Sequence, residues 1–469
     1  MRAGATEAAI ARGVTLLRRA GFGVGDRVAI QLGQDLSTFG VLTAACLEGI
    51  VAVPLPPDLP PGERRTILDD AEPAALVLDP TQVAASPVDL DLRVVPTDPS
   101  RLAALPATDP SASWPRTRPM AYTSGTTGRR KGVAVGVHDE AWGREVVTDE
   151  HATFDGRHGE RHLVVSPLYH SGPLRFAMVT AILGGEVSVL GGFDPAAWRA
   201  ALRRERPTSL FCVPTHLHRL LALPELTASD LASLDLLAHA GAPCPIPLKR
   251  RVLDLAPEGS VWEFYGSTEG QFTVCPPEVW FGAPGTVGTA RTGRRLEIRR
   301  DDGTAADTGE VGTVWCAAPE HARFTYWRDP ERTAEVWDGD RFTVADLGAV
   351  DTEGRLTLAG RPGDLVISGG VNVYPAEVER HLLDLDGVAE AVVFGVPDPE
   401  WGERVVAAVV PWPGAVPDPT GLREDLAGRL RPAEVPKAIT VVDELPRTAT
   451  GKVRRIGLAD AVRGPWSSP

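Results

Sequence analysis

The stretch Tyr122-Thr-Ser-Gly-Thr-Thr-Gly-Arg-Arg-Lys-Gly132 gathers four hydroxyl side chains (Thr123, Ser124, Thr126, Thr127), the glycines Gly125, Gly128 and Gly132, and Lys131. Glycines allow the backbone to bend until several N–H groups converge on one point; hydroxyls add donors and the lysine adds a cation. That composition suits a polyphosphate. A Gly/Thr-rich surface turn has the same residue types. The spacing is not the P-loop G-x-x-x-x-G-K-[ST], because no Ser or Thr follows Lys131.

Further residues could act with such a loop. Trp262-Glu-Phe-Tyr-Gly-Ser-Thr-Glu269 combines an aromatic face, which suits a purine, with a hard carboxylate, which suits Mg²⁺. Asp346 lies in Phe342-Thr-Val-Ala-Asp-Leu-Gly348, and Arg361 opens Arg361-Pro-Gly-Asp-Leu-Val-Ile-Ser-Gly-Gly370. Lys452 ends Pro446-Arg-Thr-Ala-Thr-Gly-Lys452. Lysine is scarce: Lys131, Lys249, Lys437 and Lys452 are the four, against 48 Lys+Arg together. Each lysine is therefore a stronger functional candidate than usual. Weaker signals are His170 in Ser166-Pro-Leu-Tyr-His-Ser-Gly-Pro173, and the segments Phe211-Cys-Val-Pro-Thr215 and Ala240-Gly-Ala-Pro243, whose small residues and fixed turns let a flat ring or acyl group approach the backbone.

Taken in order, these motifs resemble those of the adenylate-forming superfamily of acyl-CoA synthetases, adenylation domains and luciferases, over nearly the whole chain, and most closely its acyl-CoA synthetases. The resemblance implies a role for each residue. Thr123, Ser124, Gly125, Thr126, Thr127 and Gly128 would hold the phosphates of ATP. Gly241, Ala242, Pro243, Glu263, Phe264, Tyr265, Gly266, Ser267 and Thr268 would line the nucleotide site, with Tyr265 on the adenine and Thr268 on the α-phosphate. Glu269, with Thr123, would hold Mg²⁺. Asp346 and Arg361 would bind the ribose and phosphates. His170, Thr215, Gly241, Ala242, Gly266 and Gln271 would line the acyl pocket, mostly small or neutral, with no cation placed for a second carboxylate. Lys131, Glu269, His170 and Lys452 would be catalytic, and Ser368, Gly369 and Gly370 would let the pantetheine arm of CoA pass. Gly363 stands where the superfamily usually has an Asp or Lys hinge; glycine is a permissive pivot. The superfamily's Thr-Gly before the ribose-binding aspartate is Val344-Ala345 here, so a different local turn is expected. Superfamily members commonly begin earlier than this chain, so a trimmed N-terminal subdomain, or one completed by a partner, is expected.

The elements that must carry these residues follow from periodicity. Ile10, Val14 and Leu17 at helical spacing precede a strand Arg27–Gln31. A helix over 37–48, a strand over 51–55, a helix near 61–71 and a strand over 75–79 continue the alternation. Such alternation predicts an α/β fold with a largely parallel sheet. Residues 80–118 read as irregular connection. Residues 281–360 are turn- and strand-rich. Beyond 361, strands over 388–396, 405–411 and 438–442 and helices near 375–385 and 419–430 predict a small α+β unit. The expected organisation is a large N-terminal domain, 1–360, of layered α/β subdomains plus a β-rich one, and a small mobile C-terminal domain, 361–469.

A formal net charge of −14 argues against nucleic acid or an anionic membrane as main partner. The five cysteines form no C-x-x-C pair and read as buried thiols of a reducing compartment. No apolar run reaches the roughly eighteen residues of a membrane span, and a cytoplasmic protein is expected. The function implied is activation of a hydrophobic carboxylic acid with ATP and Mg²⁺ as an acyl adenylate, then transfer to coenzyme A. Two alternatives remain: transfer to a separate carrier protein or partner enzyme, and a non-catalytic nucleotide-binding scaffold, which need not keep Lys131, Glu269, Asp346, Arg361 and Lys452 together.

Overall fold

The computed structural model describes residues 3–80, 92–123, 130–447, 453–455 and 457–462. Two parallel sheets form the scaffold. The first runs Val51–Pro54, Arg27–Gln31, Ala75–Leu78, Val94–Pro96, and the second Val261–Glu263, Leu236–His239, Ser209–Cys212, Arg161–Val164, Glu186–Val189. Helices cover their faces, so the strands read as unbroken apolar runs such as Ala75-Leu-Val-Leu78, buried throughout. Helices Ala3–Arg19 and Leu36–Leu47 lie so close that a Cβ on Gly40 would stand 2.4 Å from the Ala9 carbonyl oxygen.

An antiparallel sheet built on the long strand Arg341–Val350 follows, with Gly312–Ala317 on one side and Leu356–Gly360 and Trp337–Asp338 also paired to it. A three-stranded sheet, Thr325–Tyr326, Lys131–Ala134, Ala121–Thr123, ties this region back to the hairpin that carries the Gly/Thr loop. The last sheet, Val371–Val373, Val366–Ser368, Gly402–Pro411, Val388–Asp398, adds Ala438–Val441 in parallel and packs on helices Pro375–Leu383 and Pro419–Ala427. The fold is thus mixed α/β, with a large N-terminal and a smaller C-terminal domain.

The segment expected to be irregular, 80–118, contains the edge strand Val94–Pro96 and a helical turn Pro99–Ala103, whose first N–H groups are capped by Asp98. Three residues carry no readable alternation, and an edge strand buries only one neighbour's face. Among the described residues no helix is long and apolar enough to cross a membrane.

Candidate active site

The hairpin Ala121–Thr123/Lys131–Ala134 brings Thr123 opposite Lys131 at the base of the Gly/Thr loop. Ser124, Gly125, Thr126, Thr127 and Gly128, expected to hold phosphates, lie outside the described residues, as does Lys452. At the base of the loop, the Lys131 ammonium donates to the Tyr326 hydroxyl at 2.6 Å, and that hydroxyl donates to Glu269 Oε1 at 3.0 Å. Lys131 Nζ also lies 3.2 Å from Glu269 Oε1. Glu269 is buried, and both contacts use one of its oxygens. Burial lowers the Lys131 pKa, against the pull of Glu269; Arg332 and Arg361 push it down further. The group is a cation set among cations, an arrangement suited to a polyanion.

Tyr326 is held there by two sequence features. Its strand pairs with Lys131–Ala134, and its N–H donates to Thr333 Oγ1 at 2.9 Å. Thr333 sits in the helix Pro330–Val336, capped by Asp329, whose side chain accepts from the Arg332 N–H. The Asp329-Pro-Glu331 helix start was the available signal for this missed residue, since Asp at the N-cap with Pro and Glu in the first turn marks a helix beginning.

A second cluster joins the nucleotide motifs. The Tyr265 hydroxyl donates to Asp346 Oδ2 at 2.6 Å, and Arg361 Nε pairs with Asp346 Oδ1 at 2.6 Å. Three distant segments thus converge on one carboxylate. In the turn before Asp346, Ala345 adopts φ +62°, the left-handed conformation that favours glycine, at an irregularity in the register of Arg341–Val350 against Gly312–Ala317. Its N–H is satisfied by Thr343 Oγ1 at 3.0 Å. The strain of this turn is carried by an alanine.

Gly266 and Gln271 close the hairpin around Ser267, Thr268 and Glu269, with a Cβ on Gly266 meeting the Gly270 oxygen at 2.8 Å. Phe264 packs with Phe176 and Phe211 in a buried aromatic core beneath the site's loops, and a Cβ on Gly172 would touch Phe211 at 3.2 Å. His170 caps the helix Ser171–Ile182 and sets its ring against Tyr169 at 4.4 Å. Gly241 takes φ +90° at the start of the loop with Ala242 and Pro243.

Two expectations need correction. Glu263 turns its carboxylate away from this cleft, to the Lys249 ammonium at 3.2 Å, and its backbone N–H and carbonyl are both paired with Cys275. Ser368 is buried inside the C-terminal domain, while Gly369 and Gly370 are exposed; a Cβ on Gly369 would meet the Trp401 ring at 2.7 Å. Beside Gln271 lies Arg175, on the helix that begins after His170; it donates to Gln271 Oε1 at 3.3 Å and is paired with Glu150 at 3.0 Å. Periodicity alone could not show which way that helix turns its arginine.

Thr215 receives a hydrogen bond from Arg447 at 3.3 Å, which brings the segment just before Lys452 onto the N-terminal domain. A cavity of about 560 Å³ opens alongside, lined by Leu168, Tyr169, Phe193, His216, Arg219 and Arg447 among others, neighbours of the expected pocket residues. Gly363 lies in a 3₁₀ turn, Pro362–Asp364, with open space where a side chain would be.

With this geometry in view, comparison with known proteins is decisive. A sequence model of the AMP-binding enzyme family matches residues 7–327, and one of the AMP-binding enzyme C-terminal domain matches 377–452. The chain belongs to the AMP-binding enzyme family. It is 34% identical over 459 residues to a feruloyl-CoA synthase of Amycolatopsis sp, covering 95% of this chain and 90% of that protein. It is 32% identical to an indoleacetate–CoA ligase of Aromatoleum aromaticum, covering 88% and 84%. Among solved structures, ATP-bound MatB from Rhodopseudomonas palustris superposes with TM-score 0.84 at 30% identity, covering 97% of this chain and 92% of that one. The fold, the ATP, Mg²⁺ and coenzyme A requirement and the ligase class follow.

The residues present fit these groups. Thr123 Oγ1 is buried with no hydrogen-bond partner among the described residues, and it stands at the loop base opposite Lys131. One carboxylate is enough for Mg²⁺, which fills its shell with waters and substrate phosphates.

Two substitutions test this geometry. Tyr326→Phe removes the hydroxyl between two charged groups; ATP–Mg²⁺ affinity by calorimetry should fall about tenfold with the fold intact, and an unchanged affinity would reduce the hydroxyl to filler. Ala345→Gly should raise unfolding free energy by about 0.5–1 kcal/mol in denaturant titration, since the exposed alanine carries left-handed strain; a loss would mean the methyl group earns its place by packing.

Proposed function

We propose that this enzyme is an acid–thiol ligase that activates a hydrophobic carboxylic acid with ATP and passes the acyl group to coenzyme A. The observation that carries the reading is the Lys131–Tyr326–Glu269 line at the base of the Gly/Thr loop, beside the Tyr265–Asp346–Arg361 cluster. A carboxylate and a nucleoside triphosphate repel each other, so the protein's task is to hold two anions together and neutralise the charge that builds on the departing pyrophosphate. No general base is required, because the attacking carboxylate is already ionised at neutral pH.

In this reading Lys131 and the loop donors face the β- and γ-phosphates, Asp346 and Arg361 hold the ribose, and Tyr265 and the 241–243 segment receive the base. Glu269 and Thr123 would hold Mg²⁺, which supplies charge neutralisation at the phosphates. Lys452 joins the acid to the α-phosphate in the first step. The CoA thiol attacks the acyl carbonyl in the second, releasing AMP, with Gly370 beside the incoming arm. His170 borders the acyl group, next to the cavity on which Tyr169, Phe193 and His216 lie. Those aromatic side chains, with relatives named for ferulate and indoleacetate, support an aromatic acid as substrate. A separate carrier protein as acceptor is the second reading. It is supported by a Streptomyces coeruleorubidus relative named as a fatty acid–[acyl-carrier-protein] ligase, 31% identical. A cytoplasmic location accords with this chemistry.

We further propose a domain boundary between Gly360 and Arg361 with Gly363 as pivot, because Lys452 and Gly370 serve different steps from one small domain.

The deciding assay offers aryl and aliphatic acids with ATP and Mg²⁺, with and without CoA, and reads pyrophosphate exchange and products by mass spectrometry. Aryl-CoA formation is expected. Acyl adenylate that never becomes acyl-CoA would move the reading to the carrier protein, and no exchange with any acid would remove it. In the same assay Gly363→Pro, which fixes φ without removing a backbone hydrogen bond of its turn, should block one half-reaction and spare the other. Unchanged turnover would end the pivot.

A further inference from the structure

Lys249 has no part in the reaction as described, yet it is one of four lysines and is fully buried. Its ammonium lies 2.6 Å from His239 Nε2, 3.2 Å from Glu263 Oε2 and 5.9 Å from the Trp280 ring centre. His239 is buried too. His239 and Glu263 are register partners at the C-terminal ends of adjacent parallel strands, Leu236–His239 and Val261–Glu263. The chain leaves the first strand into Ala240-Gly-Ala-Pro243 and the second into Phe264-Tyr-Gly266. Lys249 itself lies in the helix Ile246–Leu255 that the first of these loops enters. One ammonium therefore ties both ends of the 240–245 loop to each other and to the root of the neighbouring loop. In open parallel sheets this C-terminal edge is where ligands are received.

A buried ion pair is a poor source of net stability, since apolar residues of similar volume often do as well or better. What it can fix is geometry: a compact buried ammonium has three donors and holds an imidazole nitrogen and a carboxylate oxygen at hydrogen-bond distance from one point. Arginine, which supplies almost every other cation in this chain, would bring a planar fork too large for the space between an imidazole nitrogen and a carboxylate at these distances.

We propose that Lys249 is a positioning residue for the nucleotide, holding the 241–243 and 264–266 segments at the spacing that receives the base. The proposal rests on the reading that these segments bind adenine.

The test compares ATP with inorganic pyrophosphate as calorimetric probes, because pyrophosphate engages the phosphate loop and not the base. Lys249→Met strands a buried carboxylate; Lys249→Met with Glu263→Gln removes both charges and should restore the melting temperature. In that double variant the Kd for ATP should rise about tenfold while the Kd for pyrophosphate stays within about twofold. Wild-type ATP affinity in the double variant, or an equal loss for both probes, would overturn the positioning role. Should the double variant not fold, His239→Leu keeps the Lys249–Glu263 pair and releases the loop: a selective loss of ATP affinity supports the proposal and none overturns it. Wild-type protein that binds pyrophosphate but no ATP would instead bring down the adenine reading, and the clamp with it.

Discussion

Concentrated charge is the constraint on which this structure turns. Lys131, Arg332 and Arg361 are close enough for the last two to depress the lysine, and Glu269 is paired against Lys131 and Asp346 against Arg361. Such a group is costly to assemble unless each member is held by hydrogen bonds. The structure meets that cost with two phenols. The Tyr326 hydroxyl accepts from Lys131 and donates to Glu269; the Tyr265 hydroxyl donates to Asp346. Neither phenol adds net charge. Burial, together with the carboxylate beside each, raises both phenol pKa values, so they stay protonated and keep donating.

The parallel sheets exist, in this light, to deliver loop ends. Strands Leu236–His239 and Val261–Glu263 end side by side at loops expected to meet one ligand. The hairpin Ala121–Thr123/Lys131–Ala134 is anchored by Thr325–Tyr326, which returns from almost two hundred residues later and brings its own hydroxyl to the lysine. A loop of small, permissive residues can be presented rigidly only if its roots are fixed this way.

Much of this was legible in the sequence. Periodicity identified the opening helix and the strands Arg27–Gln31 and Ala75–Leu78, because full burial makes parallel strands continuously apolar. Glu269, Asp346 and Lys131 were legible because carboxylates and a rare lysine stand out among arginines, alanines and glycines. What escaped depends on direction and not on type. Tyr326 is an aromatic in a two-residue strand, too short for any period. Glu263 sits one residue before Phe264 and Tyr265, but strand alternation sends its carboxylate to Lys249. Ser368 is buried for the same reason, facing inward between exposed Ile367 and Gly369. Val344-Ala345 gave no hint that its alanine takes a left-handed conformation, since alanine rarely does.

The contacts between the C-terminal domain and the rest are of a kind that can be remade. Arg447 reaches Thr215 with one hydrogen bond at 3.3 Å, and Trp412 stacks on His218 at 4.8 Å between ring centres. A hydrogen bond and an aromatic contact of this sort contribute about 1 kcal/mol each, far less than the apolar core that holds the domain itself together, where Val373, Val378, Leu382, Val393, Val405 and Val409 are wholly buried. Arg361, beside the proposed pivot, adds its pair with Asp346 to these contacts. Arg447 is held in its own domain by Glu390 as well, so its guanidinium keeps a partner when the contact to Thr215 is broken. That lowers the cost of leaving, because no buried cation is stranded by the move. The proposed alternation between an adenylating and a thiol-using arrangement would call for such a division into units that keep their own cores.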